Sequence, residues 1–282
     1  MKYKMSTRRK LAIASWSTPK EGNIYGKLVV DMGPALRYIE HLRETSGEKV
    51  TVTHLVGKAA AMALANAPDL NGRIFMGAYR PHESVDLAFL VALESHDLAK
   101  IKVCGIDKKT TVEVAKELRE RAAMVRGGKD DQFNKSKPLL KYLPTFLIRP
   151  VLWSVGYLTG AMGVSIEALG LEKFPFGACV VTSVGMLGVD EGYAPPTPFA
   201  RVPVYIVVTK VQDVPVVENG QVVVRPQMNL MFTVDHRFMD GYQGAMLAKI
   251  IRGVFAEPWK LDGMQKPQPP LTSSEMLVTA HA

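Results

Sequence analysis

Asp235-His236-Arg237-Phe238-Met239-Asp240-Gly241 is the stretch on which the reading of this chain turns. It follows an apolar run, Asn229-Leu-Met-Phe-Thr-Val234, and precedes a helix-like run from Tyr242 to Phe255. A strand therefore gives way to a helix through one short polar turn, the pattern of an α/β chain. The turn holds a histidine where the strand stops, a carboxylate four residues on, and a glycine, Gly241, that lets the chain change direction. Histidine is the side chain best placed to move protons near neutral pH. A neighbouring carboxylate can fix its orientation. The segment makes this α/β chain a candidate enzyme.

The surrounding sequence has the same character. Lys27-Leu-Val-Val-Asp31 reads as a strand. Met32 to Leu42 reads as a helix, with Pro34 in its first turn and Leu36, Ile39 and Leu42 on one face. Thr53 to Ala67 is a helix rich in alanine that stops near Pro68, and so much alanine allows close packing against a sheet. Val85 to Leu93 is a strand placed towards the middle of that sheet. Thr110-Thr-Val-Glu113 has the spacing of a capping box and opens a helix closed by Gly127-Gly128. Ala178 to Val184 and Val204 to Thr209 are further β runs, and Val214 to Arg225 reads as a hairpin about Asn219-Gly220. Pro258 onward is proline-rich and reads as an extended or disordered tail. The organisation is thus one catalytic domain over residues 1–256 and a C-terminal tail over 257–282.

A chain of 282 residues with 47% hydrophobic and 22% charged content can bury a sizeable core. Its two cysteines, Cys104 and Cys179, both lie in apolar runs and read as buried, reduced thiols, which points to a reducing, cytoplasmic setting. Leu11 to Trp16 is too short for a secretory apolar core. The net charge of +8 reads as a solvated basic surface. Without a clustered basic stripe it argues against nucleic acid. It equally suits the phosphates of a nucleotide-like cofactor or an acidic carrier protein.

Leu139 to Leu171 is markedly apolar, but Arg149-Pro150 interrupts it and the uncharged run from Val151 to Val164 falls short of the ~20 residues a membrane span needs. Buried or inter-subunit helices are the leading reading of residues 139–171, and interfacial membrane contact is the second.

Five ordered segments carry a family likeness: Arg9-Lys-Leu-Ala-Ile-Ala14; Val50 to Leu64 followed by Pro68-Asp-Leu-Asn71; Asp107-Lys-Lys-Thr-Thr111; Thr182-Ser-Val-Gly-Met-Leu-Gly188; and Asp235-His-Arg-x-x-Asp240-Gly241. Together they resemble the catalytic domain of the acyltransferase component of 2-oxo-acid dehydrogenase complexes, the dihydrolipoamide acyltransferases. The fold of that family is related to chloramphenicol acetyltransferase. The resemblance implies a two-layer α/β sandwich with a mixed sheet and helices on one face. It implies His236 as the base that deprotonates an attacking thiol, without a covalent acyl-enzyme. Thr182 stands where the family has its oxyanion-donating hydroxyl, with Ser183 beside it should the register slip by one. Asp240 is either an ordinary helix N-cap or the partner of Arg9 in a structural ion pair.

Coenzyme A thioester is the implied substrate, held by surface basic groups and backbone, because the chain has no Gly-rich phosphate loop. The lipoyl group is expected on a separate carrier protein. The resemblance further implies a homotrimer or larger assembly with active sites between subunits. Residues 131–172 look like an insertion relative to the family. No second histidine sits at helical ligand spacing, so no metal site is expected, and no Gly-x-Ser-x-Gly elbow points to a serine hydrolase. Two other readings stay open: a scaffold that keeps the fold without turnover, and a transferase to a small amine or alcohol.

Overall fold

The computed structural model describes residues 22–92, 98–127 and 143–266. Strand β1 (Asn23–Asp31) buries alternate side chains, Leu28 and Val30 inward with Tyr25 and Val29 outward, as a half-covered strand must. Helix α1 (Gly33–Ser46) has Pro34 in its first turn and ends where Gly47 takes a left-handed conformation, φ 70°. Helix α2 (Val52–Ala65) is the alanine-rich one. It passes so close to the sheet that a Cβ on Gly57 would lie 2.4 Å from the ring of Phe89. A two-stranded hairpin, β2 (Gly72–Phe75) and β3 (Ala78–Pro81), follows, then β4 (Leu87–Ala92) and β5 (Leu98–Val103). Helix α3 (Thr111–Arg126) carries the expected capping box: Thr110 Oγ1 accepts from the Glu113 N–H at 3.2 Å, and the Glu113 carboxylate accepts from the Thr110 N–H at 2.7 Å.

Helix α4 (Thr145–Gly156) precedes β6 (Cys179–Ser183), β7 (Val204–Glu218), β8 (Gln221–Asp235) and α5 (Gly241–Ala256). Six strands form one sheet in the order β1-β8-β7-β6-β4-β5. The β4–β6 and β6–β7 pairs are parallel and the others antiparallel, so the sheet is mixed. β4 lies one strand in from an edge. Helices α1, α2, α3 and α5 cover one face and enclose a core with Tyr38, Leu55, Phe89 and Phe255 at its centre. The expected two-layer α/β architecture is therefore present. On the other face Ala88, Val180 and Tyr205 are covered by Phe176, Ala200 and Val202, and α4 packs outside that cover, its Gly156 against Phe199.

β7 and β8 run on past the sheet as a hairpin to Asn219 and Gly220, both at positive φ. On this outer arm Val217, Val222 and Val224 are about 70% exposed.

Several expectations need correction. Arg149-Pro150 interrupts the apolar run in sequence but not in the backbone, since α4 runs through Pro150. Among the described residues no helix is long and apolar enough to cross a membrane. Pro258–Asp262 is not an extended tail. It forms a 3-10 turn whose Pro258 and Leu261 are buried and whose Asp262 accepts hydrogen bonds from the Thr111 N–H and the Tyr38 hydroxyl. Cys179 is buried as expected, but Cys104, one residue beyond β5, is exposed. Arg9, residues 139–142 and most of the tail lie outside the described residues.

Candidate active site

The histidine turn is built from both of its neighbours. At the end of β8 the Asp235 N–H donates to Pro203 O at 2.9 Å, and the Phe238 N–H donates back to Asp235 O at 3.0 Å, closing the turn. The Asp235 carboxylate accepts from the Arg237 backbone N–H at 3.0 Å and from the Arg237 guanidinium, at 2.5 Å for Nη2. Phe238 and Met239 then plunge into the core at under 10% exposure, and Phe238 meets the ring of Tyr79 on β3 edge-on. Two apolar anchors and one ion pair thus hold the backbone, and they leave His236 exposed. Its backbone N–H donates to Gly22 O at 3.2 Å, tying the turn to the chain just ahead of β1.

Asp240 is the N-cap of α5. Its carboxylate accepts from the Tyr242 N–H at 2.8 Å and from the Gln243 N–H at 3.4 Å, while Gln243 Oε1 accepts from the Asp240 N–H at 2.9 Å. This reciprocal arrangement satisfies orphan donors of the helix start and places negative charge at its positive end. The pairing of Asp240 with Arg9 lies outside the described residues. Gly241 is not the conformational hinge expected of it. It has no positive φ, and a Cβ there would meet nothing within 4 Å. The turn is made by its hydrogen bonds instead.

Thr182 and Ser183 end β6, where Thr182 is half-buried and Ser183 exposed. The residues alternate faces: Cys179 and Val181 pack under the helices, Val180 under the opposite cover. Thr182 therefore belongs to the second face and Ser183 to the helical face. The following 3-10 turn depends on glycine twice. A Cβ on Gly185 would sit 2.8 Å from Thr209 O, and Gly188 has φ 72°. Between them Met186 is 96% and Leu187 77% exposed. Sequence reasoning matched this turn but did not foresee the exposed pair. Two adjacent large apolar residues between the two glycines were the signal.

The structure keeps His236 and Thr182 apart within one chain. Thr182 pairs with Val207, and Val207 with Met231. His236 lies five residues beyond Met231, roughly 16 Å along the sheet and two strands across. The two residues stand at opposite ends of the same sheet. A histidine and a hydroxyl so disposed can act on one substrate only when two copies of the chain present them to each other. Among the described residues no group of three histidine, cysteine or acidic side chains could hold a metal ion.

Comparison with known proteins bears on this arrangement. The sequence pattern of the family described as 2-oxoacid dehydrogenases acyltransferase (catalytic domain) matches residues 6–134 and 165–262, and leaves out 135–164, within the expected insertion. The dihydrolipoyllysine-residue acetyltransferase component of the acetoin cleaving system of Bacillus subtilis is 25% identical over 217 residues, 76% of this chain and 44% of that protein. The succinyltransferase component of the 2-oxoglutarate dehydrogenase complex of Haemophilus influenzae is 24% identical over 242 residues, 82% of this chain and 47% of that protein. The chain thus spans less than half the length of these relatives. Among solved structures, a probable dihydrolipoamide acetyltransferase from Listeria monocytogenes superposes with a TM-score of 0.69 at 18% identity, covering 95% of this chain and 98% of the other. The cubic core of a pyruvate dehydrogenase multienzyme complex gives 0.64 at 18% identity, covering 90% and 87%. These likenesses establish the shared fold.

Proposed function

The chain belongs to the family of 2-oxoacid dehydrogenase acyltransferase catalytic domains, and from that premise we propose that it moves an acyl group between coenzyme A and the thiol of a dihydrolipoyl group carried on a separate protein. The observation that carries the reading is the exposed His236, held by buried Phe238 and Met239 at a strand end, within the residues that match the family.

The reaction follows from what such a histidine can do. The imidazole of His236 takes the proton from the acceptor thiol. The thiolate adds to the thioester carbonyl carbon, whose oxygen becomes an oxyanion. The hydroxyl of Thr182 from a second copy donates to that oxyanion, or Ser183 does so from the other face. Collapse expels the first thiol as thiolate, which recovers the proton from the imidazolium. Nothing becomes covalently attached to the chain. Asp240 is a positioning residue, since its carboxylate is engaged at the start of α5 and does not touch the reacting atoms.

The separation of His236 and Thr182 in one chain supports an oligomer, and a trimer is the smallest closed ring the family likeness suggests. The exposed Met186 and Leu187 beside Thr182 supply apolar surface for a neighbour to bury. A reducing cytoplasm suits a reaction between free thiols.

The test is direct. Purified protein is incubated with an acyl-coenzyme A and dihydrolipoamide, a lipoyl domain, or simple amines and alcohols, while thiol release and acyl product are followed. Transfer to the dihydrolipoyl thiol is expected, lowered at least about a hundredfold by His236→Ala. Equal rates in wild type and variant would remove the proposal. The same assay on Thr182→Ala and Ser183→Ala decides between the two hydroxyls.

A further inference from the structure

Between the sheet and α5 lies an apolar cavity of about 330 Å³. It comes from small residues on facing helices: Ala60 and Ala63 of α2 stop short of Gly244 and Ala248 of α5. Cys179 and Ile206 of the sheet also line it. Such walls offer water almost no hydrogen bonds, so the space suits hydrocarbon better than water.

The cavity has a definite relation to the histidine turn. Ile24 and Val234 are register partners that line it, and the pair that follows them on the same face is Gly22 and His236. Met239, Asp240 and Gly241 border it as well. Arg252, an exposed residue, and Lys27, which is paired with Glu191, are the basic residues that line it. The cavity therefore lies directly behind the turn that carries His236, with an apolar interior and a cation at its rim.

The geometry points to a binding site for an unbranched acyl chain of about eight to ten carbons, its polar head beside Arg252. The volume sets the length, at the ~30 Å³ that one water-sized group takes in the liquid. The head is either the carboxylate of a free fatty acid or the thioester of an acyl donor; both present a carbonyl oxygen to Arg252, and the carboxylate adds a negative charge. This site stands on its own geometry and does not require that His236 transfer anything.

Isothermal titration with straight-chain carboxylates from four to fourteen carbons, and with the matching acyl-coenzyme A series, tests it. Affinity is expected to rise about fourfold per carbon and to stop rising near ten. Binding by the free acids assigns a fatty-acid site, and binding by the thioesters alone assigns the donor's acyl group. Ala248→Phe, which fills the space from a half-buried position, should weaken binding at least tenfold. Gly244→Ala places a methyl 3.5 Å from Met239 Cε, an ordinary contact, so it trims the cavity in a folded protein and should shorten the preferred chain. Arg252→Gln should weaken acids more than the corresponding alcohols. His236→Ala should bind chains as wild type does even where transfer is lost, which separates this site from the proposed reaction. No binding by any chain, a length series without a break, or unchanged binding in well-folded Ala248→Phe would overturn the assignment.

Discussion

The Asp240 carboxylate accepts two backbone N–H groups at the start of α5, so removing it is first a matter of stability. Asp240→Ala should cost about 1 kcal/mol, read from thermal or urea unfolding. Asp240→Asn keeps an oxygen acceptor and should unfold close to wild type. Loss of transfer in the asparagine variant would then report the missing charge, and loss only in the alanine variant would report the missing cap. Much of this turn was legible in the sequence, because its parts are neighbours: strand end, histidine, cap and helix follow within seven residues. The role of Gly241 was misread because glycine signals a turn only when φ must be positive or the space is closed, and here neither holds. The Asp235–Arg237 pair went unnoticed although acid and base stand two residues apart.

Among elements, α2 has an unusual start. Its capping box uses His54, whose Nδ1 accepts the Thr51 N–H at 3.2 Å. Only neutral imidazole has that lone pair. Burial, and then the charge of Arg43, lower the His54 pKa from 6.5 to about 4. Burial, then Arg73, do the same for His82. The unfolded chain binds these protons from pH 6.5 downward while the folded chain resists until about 4. Stability is therefore full above 6.5, is lost as pH falls across that window, and is lowest below 4, by about 3 kcal/mol per histidine. Urea titrations from pH 7.5 to 4 should record this slope. His54→Gln, which keeps an acceptor and cannot titrate, should reduce the slope by about half.

Elements were legible where the signal was local, as in the Asn219-Gly220 hairpin and the Thr110–Glu113 box. The β2–β3 hairpin was missed because its strands are four residues long and its turn, Met76-Gly77, puts a methionine at positive φ. β5 was missed because Lys100 and Lys102 break its short apolar run. Both are largely covered, their ammonium groups reaching Glu172 and the carbonyls of residues 173–175. That cover comes from 70 residues away, beyond the reach of any local pattern.

For the whole molecule, the distance between His236 and Thr182 is the decisive quantity. It depends on strand order, and strand order is set by contacts far apart in sequence. If the site forms between copies, two inactive variants can repair each other. His236→Ala and whichever of Thr182→Ala and Ser183→Ala abolishes transfer, unfolded together and refolded as a mixture, should regain a sizeable fraction of wild-type transfer, since some interfaces then join an intact histidine to an intact hydroxyl. Equal inactivity before and after mixing would place both residues in one chain and contradict the sheet register.

The outer arm of β7 and β8 carries a consequence in time rather than in space. From Val214 to Arg225 the two strands pair only with each other, and an isolated strand pair is marginal in water. Their amide hydrogens should exchange with solvent far faster than those of Val204–Val208, which lie between two strands. If a neighbour's surface covers Val217, Val222 and Val224, exchange along the arm should slow as protein concentration rises while the inner strand stays unchanged. The arm would then act as a clock for assembly, one that mass spectrometry can read peptide by peptide.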